Sequence, residues 1–329
     1  MVARTSSKAK RIRTKLPLPA FRPPQLATLQ RDVPDDDTWL YELKYNGYRC
    51  QAAIGGLNVK LYNIAGEDYS QQFGHVIPAM SELTYGTLLL DGEICAIDED
   101  GRTDAALLKR SLGGRGPLVF FAFDLLEQDG EDVSQLPQVE RKRRLAALLA
   151  DQPVDSPLLY SQHVVGNGKK VFDAVRAGGF DGIVAKWPTA RYYGGGRSTA
   201  WLEIKVLRQQ EFVVIGWTPD NKGDGLRGLV LGTYERGELV YRGEVETGLS
   251  PATRRKIIDR LTALPPKRRP RVEGLGRGDM RTAHWVQPRL LAQVEFIDVL
   301  ADGTLKRAAF KSIREDSDAR HVRLEFSGS

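Results

Sequence analysis

Lys44 stands in ELKYNGYR, Glu42 to Arg49, at the end of a run that alternates apolar and polar residues. Alone it reads as an exposed strand lysine. Its company changes that reading. Charged residues also stand in or beside four apolar runs: Asp91 and Glu93 in LDGE, Asp124 in FDLL, Asp181 and Lys186 in DGIVAK, Glu203 and Lys205 in WLEIK. An ion buried without a partner is costly, so several in one domain predict a shared polar cleft. Near other lysines and a metal-bound phosphate, a lysine's pKa falls. The neutral amine that results can attack phosphorus.

The elements that must hold these groups are legible as patterns. TWLYELKY and YRCQAAI alternate as half-buried strands do, and Asn46-Gly47 between them predicts a two-residue hairpin turn. LNVKLYN reads as the next strand. TLLLDGEICAI and PLVFFAFDLL are continuous apolar runs, as in strands buried on both faces. VERKRRLAALLA reads as a helix with one apolar and one charged face, and KKVFDAVRAGG as a second, ended by Gly178-Gly179. FDGIVAK and WLEIKV are short strands on either side of YYGGGRS, which reads as a simple flexible loop. Asp124 is expected to tie down a turn. Strands and helices follow no repeating βα order, which argues for α+β with antiparallel sheets. After Leu207 the character shifts to five short strands, QEFVVIGWT, LRGLVLGTYE, ELVYRGEVE, LLAQVEFIDVL and LKRAAFKSI, with one helix, SPATRRKIIDRLTAL. That inventory suits a small β-barrel of the OB type. The expected organisation is a basic arm over 1–22, a first domain over 23–207 and the barrel over 208–329.

Charge is unevenly placed along the 329 residues. Positions 1–16 hold six basic and no acidic groups, 17–205 hold 20 basic and 25 acidic, and 206–329 hold 22 basic and 17 acidic. Basic ends around an acidic middle predict a polyanionic partner, to which the loop PPKRRPR would add. No window approaches a membrane span and the N-terminus lacks a signal-peptide core, so a cytoplasmic protein is expected. Cys50 and Cys95 lie in apolar runs without metal-ligand spacing and read as packed thiols in a reducing compartment. His75, His163, His284 and His321 are scattered and read as surface or packing residues.

An ordered set of blocks makes a resemblance specific. LYELKYNGYR, LLLDGEICAIDEDG, FFAFDLLEQDGEDV, ERKRRLAALL, DGIVAKW, GRSTAWLEIKVLRQQEFVVIGWT and VEFIDVLADGTLKRAAFKSIRED fall in sequence where ATP-dependent DNA ligases have theirs. The chain most resembles the ligase module of bacterial end-joining ligases, in the covalent nucleotidyltransferase superfamily. The resemblance implies a nucleotidyltransferase domain followed by an OB barrel. It implies that Lys44 takes AMP from ATP as a phosphoramide. Glu42 would bind the adenine amino group, Phe123 stack on adenine, and Arg49 and Glu93 hold the ribose. Lys186 and Lys205 would meet the α-phosphate, and Glu93 and Asp181 a Mg²⁺ or Mn²⁺ ion. The implied partner is duplex DNA with a nick or an end. A monomer in the bacterial nucleoid is implied, with an end-joining protein as a further partner.

Five positions depart from the family pattern. Asn46 stands for the aspartate of Lys-x-Asp-Gly, Ile64 for an arginine, Asp181 for a glutamate, Glu203 for the first lysine of Lys-x-Lys, and Ser317 for the last lysine of Arg-x-Asp-Lys. All but Asp181 change charge or remove a donor at a phosphate-handling position. Two rivals follow: a ligase-like scaffold that binds nicks without sealing them, and an RNA ligase or capping relative that shares the fold.

Overall fold

The structure is a computed structural model and describes residues 14–34, 36–83, 85–112, 118–220, 223, 225–265, 272–275, 280–300, 302–314 and 319–325. The basic arm through Arg13, most of PPKRRPR, and Ser317 lie outside the described residues. The chain divides into two compact units, 1–206 and 207–329. Among the described residues no helix is long and apolar enough to cross a membrane.

The strands of the first unit are, in chain order, β1 (Leu26–Gln30), β2 (Leu40–Leu43), β3 (Tyr48–Gly55), β4 (Asn58–Asn63), β5 (Thr87–Ala96), β6 (Leu118–Gln128), β7 (Glu131–Asp132), β8 (Leu158–Tyr160), β9 (His163–Val165), β10 (Gly182–Lys186) and β11 (Arg197–Lys205). Its helices are α1 (Ile77–Ser81), α2 (Ala105–Ser111), α3 (Gln138–Leu148) and α4 (Gly168–Ala177). One sheet runs β4-β3-β5-β6-β7, with β8 alongside β6. The other runs β1-β11-β10-β2-β9. Pairing is antiparallel except β1 with β11 and β6 with β8.

Period-two alternation on β5 explains how charges come to share one face. Leu88, Leu90 and Ile94 point into the main core with Phe120 and Leu125, while Leu89, Asp91 and Glu93 belong to the opposite set. Cross-strand register puts Arg49 opposite Glu93, and Glu93 opposite Phe121. The β5–β6 ladder slips where Asp91 pairs with Asp124 and Gly92 with Ala122. Phe123 is therefore the extra residue of a β-bulge, a feature that re-aims side chains. The slip was not visible in FFAFDLL.

The expected hairpin at Asn46-Gly47 is not formed. Strand β2 pairs with β10 and β9, and β3 with β4 and β5, so each already has both edges filled within different sheets. Lys44 to Gly47 is a crossover between the two sheets. Neither Asn46 nor Gly47 has the positive φ that the turn requires. The glycine serves close approach instead: a Cβ there would lie 2.2 Å from the Ile94 carbonyl oxygen. Gly47→Ala is expected to destabilise the protein by about 1–3 kcal/mol through overpacking. Urea denaturation measures it; an unchanged midpoint would mean the crossover has room to give.

Helix α3 also differs from its expected amphipathic form. Two of its basic residues, Arg141 and Lys142, are fully buried, because carboxylates on β6 and β2 await them. The Gly-rich loop is anchored: Gly195 donates its N–H to the carbonyl oxygens of Pro23 (3.0 Å) and Pro24 (3.2 Å).

In the second unit, β12 (Arg208–Pro219), β13 (Leu226–Glu235), β14 (Glu238–Val245), β15 (His284–Phe296), the short pair β16 (Asp298–Val299) and β17 (Leu305–Lys306), and β18 (Ala309–Arg314) accompany helix α5 (Pro251–Ala263). Five of them form an antiparallel sheet in the order β14-β13-β12-β15-β18. The ladder does not close into a barrel among the described residues. Its two edges meet at one isolated parallel bridge, Thr247 with Ala309, just past the end of β14. Ile257 and Leu261 of α5 pack on one face of the sheet with Phe212, Leu229 and Val294.

Candidate active site

Lys44 follows the last residue of β2, and its backbone N–H donates to the Gly182 carbonyl at 3.0 Å. Its ammonium donates to Asn46 Oδ1 at 2.5 Å and to the Tyr45 carbonyl at 3.3 Å. Asn46 Nδ2 in turn donates to Asp181. The amide thus links the lysine to the carboxylate, accepting on one side and donating on the other. An aspartate at 46 would lack that donor and face Asp181 as a like charge. Two departures from the family pattern, Asn46 and Asp181, therefore fit one another.

Burial pushes the Lys44 amine below its ordinary value, and the Lys205 ammonium pushes it further, against the pull of Glu203, Asp181 and Glu93. An ordinary lysine is neutral in only about one molecule in a thousand near neutral pH, so any downward shift enlarges the reactive population. Glu93 accepts the Gly47 N–H at 3.1 Å. Burial drives its pKa up to about 7, although Arg49 and Lys44 pull it down.

Lys44, Glu42, Arg49, Glu93, Phe123 and Lys186, six residues singled out in the sequence, line one cavity of about 280 Å³. Asp181 and Lys205 do not line it. Asp181 reaches Lys44 through Asn46, and the Lys205 ammonium lies 3.6 Å from Glu203, which does line the cavity. The Phe123 ring has the Arg49 guanidinium at 4.5 Å and the Lys186 ammonium at 4.6 Å from its centroid. Arg49 is held by a fork on Asp91 (2.8 and 2.7 Å). Asp91 also accepts from the Tyr192 hydroxyl at 2.6 Å. Lys186 donates to the Phe123 carbonyl at 3.1 Å, the residue that the bulge leaves without a partner opposite on β5.

Other residues of the site gave little signal in sequence. Trp201 packs its edge against Phe123 and lies 4.3 Å from the Lys186 ammonium. Its place two residues before Glu203 on an alternating strand was the only available pointer. Asp124 does not tie down a turn. It is fully buried and forks Arg141 of α3 at 2.7 and 2.8 Å. Lys142, next to it, reaches Glu42 at 3.1 Å. Nothing in VERKRR distinguishes these two from a solvated helix face. Ile64 is 52% exposed, away from these contacts.

The description "ATP dependent DNA ligase domain" matches residues 24–205, and "ATP dependent DNA ligase C terminal region" matches 222–317. The chain belongs to the ATP-dependent DNA ligase family. It is 32% identical over 314 residues to the multifunctional non-homologous end joining protein LigD of Pseudomonas aeruginosa, covering 94% of this chain and 37% of that one. It is 28% identical over 287 residues to LigD of Mycolicibacterium smegmatis, covering 86% and 37%. The chain thus spans little more than a third of these relatives. Among solved structures it is similar to the ligase domain of Mycobacterium tuberculosis LigD, with a TM-score of 0.53 and 26% identity over 92% of this chain and 98% of that one. A mycobacterial DNA ligase D complexed with ATP and MES matches to the same extent. A ligase of this family uses ATP, and the cavity beside Lys44 is where the first unit offers a buried amine, cations and aromatic walls together.

Proposed function

We propose that this chain seals nicks in duplex DNA through an AMP carried on Lys44. The observation that supports this best is the Lys44 amine, held below its ordinary pKa by burial and then by Lys205, at the wall of a cavity that also holds Glu42, Phe123 and Lys186. In the first step the neutral Nζ attacks the α-phosphorus of ATP. A P–N bond forms, the bond to the bridging oxygen breaks, pyrophosphate leaves and the amine loses a proton. A 5′-phosphate oxygen then attacks the AMP phosphorus, and Lys44 leaves with a proton regained. Finally a 3′-hydroxyl attacks the 5′-phosphorus and AMP departs. Lys186 and Lys205 stabilise charge on the phosphate oxygens during these attacks. Phe123 and Trp201 offer an apolar wall to the base, and Glu42 accepts from its amino group.

Glu93 and Asp181 fit a divalent ion by donor chemistry. Both are oxygen donors near Lys44, and burial, against the pull of Arg49 and Lys44, raises the Glu93 pKa to about 7, a cost that a bound cation would offset. No cluster of three or more acidic, histidine or cysteine side chains suited to a metal occurs among the described residues. Mg²⁺ or Mn²⁺ would need only one or two carboxylates and complete its shell with phosphate and water. When bound, the ion would neutralise phosphate charge. Duplex DNA would be held by sequence-independent, salt-dependent contacts with basic residues. The end-joining relatives support a place in bacterial double-strand-break repair, with an end-joining protein as partner.

Sealing of a labelled nick in duplex DNA, beside the same nick in RNA, tests the reading. Sealing of DNA in preference to RNA supports it; retention of the nick with no AMP on the protein would favour a binding scaffold. A second measurement addresses the amine. Lys205→Met removes the charge that depresses Lys44, so the Lys44 pKa rises. The adenylation rate, which climbs with pH as the amine is deprotonated, is then expected to climb at higher pH than in the wild type. The deficit should be largest near neutrality and shrink in alkali. A deficit equal at every pH would leave Lys205 only a phosphate contact.

A further inference from the structure

Glu42 is buried, yet it is among the residues that line the cavity beside Lys44. Its Oε2 accepts from the Ser161 hydroxyl at 2.7 Å. Its Oε1 lies 3.1 Å from the Lys142 ammonium and 2.9 Å from the Lys186 ammonium. A carboxylate has about four acceptor positions. Ser161 fills one of them on Oε2, while the two ammonium groups neutralise Oε1, which accepts no hydrogen bond among the described residues. Glu42, while ionised, therefore presents to the base a carboxylate that can accept and cannot donate.

Of the two cations, Lys186 has other work, donating to the Phe123 carbonyl and standing beside the Phe123 and Trp201 rings. Lys142 has none outside the protein. It comes from α3, is fully buried, and does not line the cavity. It donates to the Ser161 carbonyl at 2.6 Å and sits 4.2 Å from the Tyr160 ring centroid. It thus fixes the residue whose hydroxyl holds Oε2 while its charge faces Oε1. Burial alone would raise the Glu42 pKa, but Lys142 and then Lys186 outweigh it and hold the group ionised.

We propose that Lys142 is a positioning residue for base selection: it holds Glu42 as an ionised acceptor, so that the site takes a purine with a 6-amino donor and rejects one with a 6-oxo acceptor. The inference rests on the reading of Glu42 as the group that meets the base. Without Lys142, a buried carboxylate with one cation fewer takes up a proton more readily. A protonated carboxyl can donate, and a 6-oxo oxygen then becomes an acceptable partner.

The experiment compares ATP with inosine triphosphate, which differ at position 6 of the purine. Formation of the protein–AMP or protein–IMP adduct is followed by intact mass, and kcat/KM is obtained for each nucleotide. In Lys142→Met the ATP-to-ITP ratio is expected to fall about tenfold or more, the scale of one hydrogen bond to a charged group. Lys142→Arg, which keeps the cation, should restore much of the ratio. Should the methionine variant fail to fold in a thermal melt, Lys142→Gln carries the same expectation, since its amide can still donate to the Ser161 carbonyl. Glu42→Gln separates the two ideas. If Glu42→Gln leaves the ratio at the wild-type value, Glu42 does not read the base and the inference falls with that reading. If Glu42→Gln lowers the ratio but the neutral Lys142 variants keep it, the inference alone is overturned. A purely structural lysine would slow both nucleotides alike and leave the ratio unmoved.

Discussion

Lys44→Ala incubated with ATP and a divalent metal forms no AMP adduct, whereas the wild type, stripped with pyrophosphate beforehand, gains one. This is the largest effect expected of any single substitution, because the other lysines near the cavity are engaged as cations. Lys186 lies 2.9 Å from Glu42, and Lys205 lies beside Glu203. Folding should be little affected, since among the described residues the Lys44 side chain hydrogen-bonds only to Asn46 and the neighbouring carbonyl of Tyr45. Lys44→Arg sharpens the point. Arginine keeps the charge, but its guanidinium does not deprotonate in proteins and supplies no neutral amine. Both variants should therefore lose adduct formation by at least about 10⁴-fold, the scale that removal of a covalent nucleophile reaches. A nick whose 5′-phosphate already carries AMP bypasses the lysine. Both variants should retain measurable sealing of that substrate. An adduct on Lys44→Ala would move the nucleophile elsewhere; loss of sealing on the pre-adenylated nick would mean that the substitution damages more than the first step.

Seven of the first unit's strands were legible because each carries its own pattern; the short β7, β8 and β9, and β1, were not, and the shared face of Asp91 and Glu93 emerged only once β5 was in register with its neighbours. The cleft was legible for a related reason: charges inside apolar runs must find partners, and Asp91, Glu93, Asp181, Lys186 and Glu203 did. What failed was anything set by which edges are free. Asn46-Gly47 carries strong local hairpin chemistry, but β2 and β3 find other neighbours, and a short-range signal yields to sheet pairing. The bulge at Phe123 depends on register between β5 and β6, which no single strand records. In the second unit, five strands and a helix were read from the pattern, while the degree of closure, a single bridge at Thr247, depends on how two edges meet. Arg141 and Lys142 were hidden for a different reason. A helix turns 100° per residue, so the consecutive charges of VERKRR spread around the whole helix, and which of them turn inward depends on counter-ions on other strands that the run does not record.

Asp124→Ala tests how far that hidden pairing supports the molecule. Asp124 and Arg141 are both fully buried and meet through two charge-assisted bonds. Removing the carboxylate strands a guanidinium inside the core, which costs about 3–5 kcal/mol. The urea midpoint should fall accordingly. Replacing both partners, Asp124→Leu with Arg141→Met, removes the stranded charge and should recover part of the loss. Recovery is incomplete because Arg141 also donates to the carbonyls of Leu136 (2.6 Å) and Ala190 (3.1 Å). A buried carbonyl without a donor costs about 1–3 kcal/mol. The pair has a pH signature as well. Burial pushes the Asp124 pKa up, but Arg141 outweighs it and holds the carboxyl below the ordinary aspartate value of 3.8. A group depressed in the folded state contributes stability that is fully present above the unfolded value and is lost as pH falls through the folded one. Wild-type stability should therefore drop on acidification below about pH 4, and the double variant should show a shallower drop over the same window. Equal acid limbs would assign the acid sensitivity to other carboxylates. A double variant no more stable than Asp124→Ala would show that the contacts of Arg141 with the Leu136 and Ala190 carbonyls, rather than its charge, hold α3 in place. Because Lys142 rides on the same turn of α3, any variant that loosens this attachment should also weaken the hold on Glu42, coupling a stability defect to nucleotide selection.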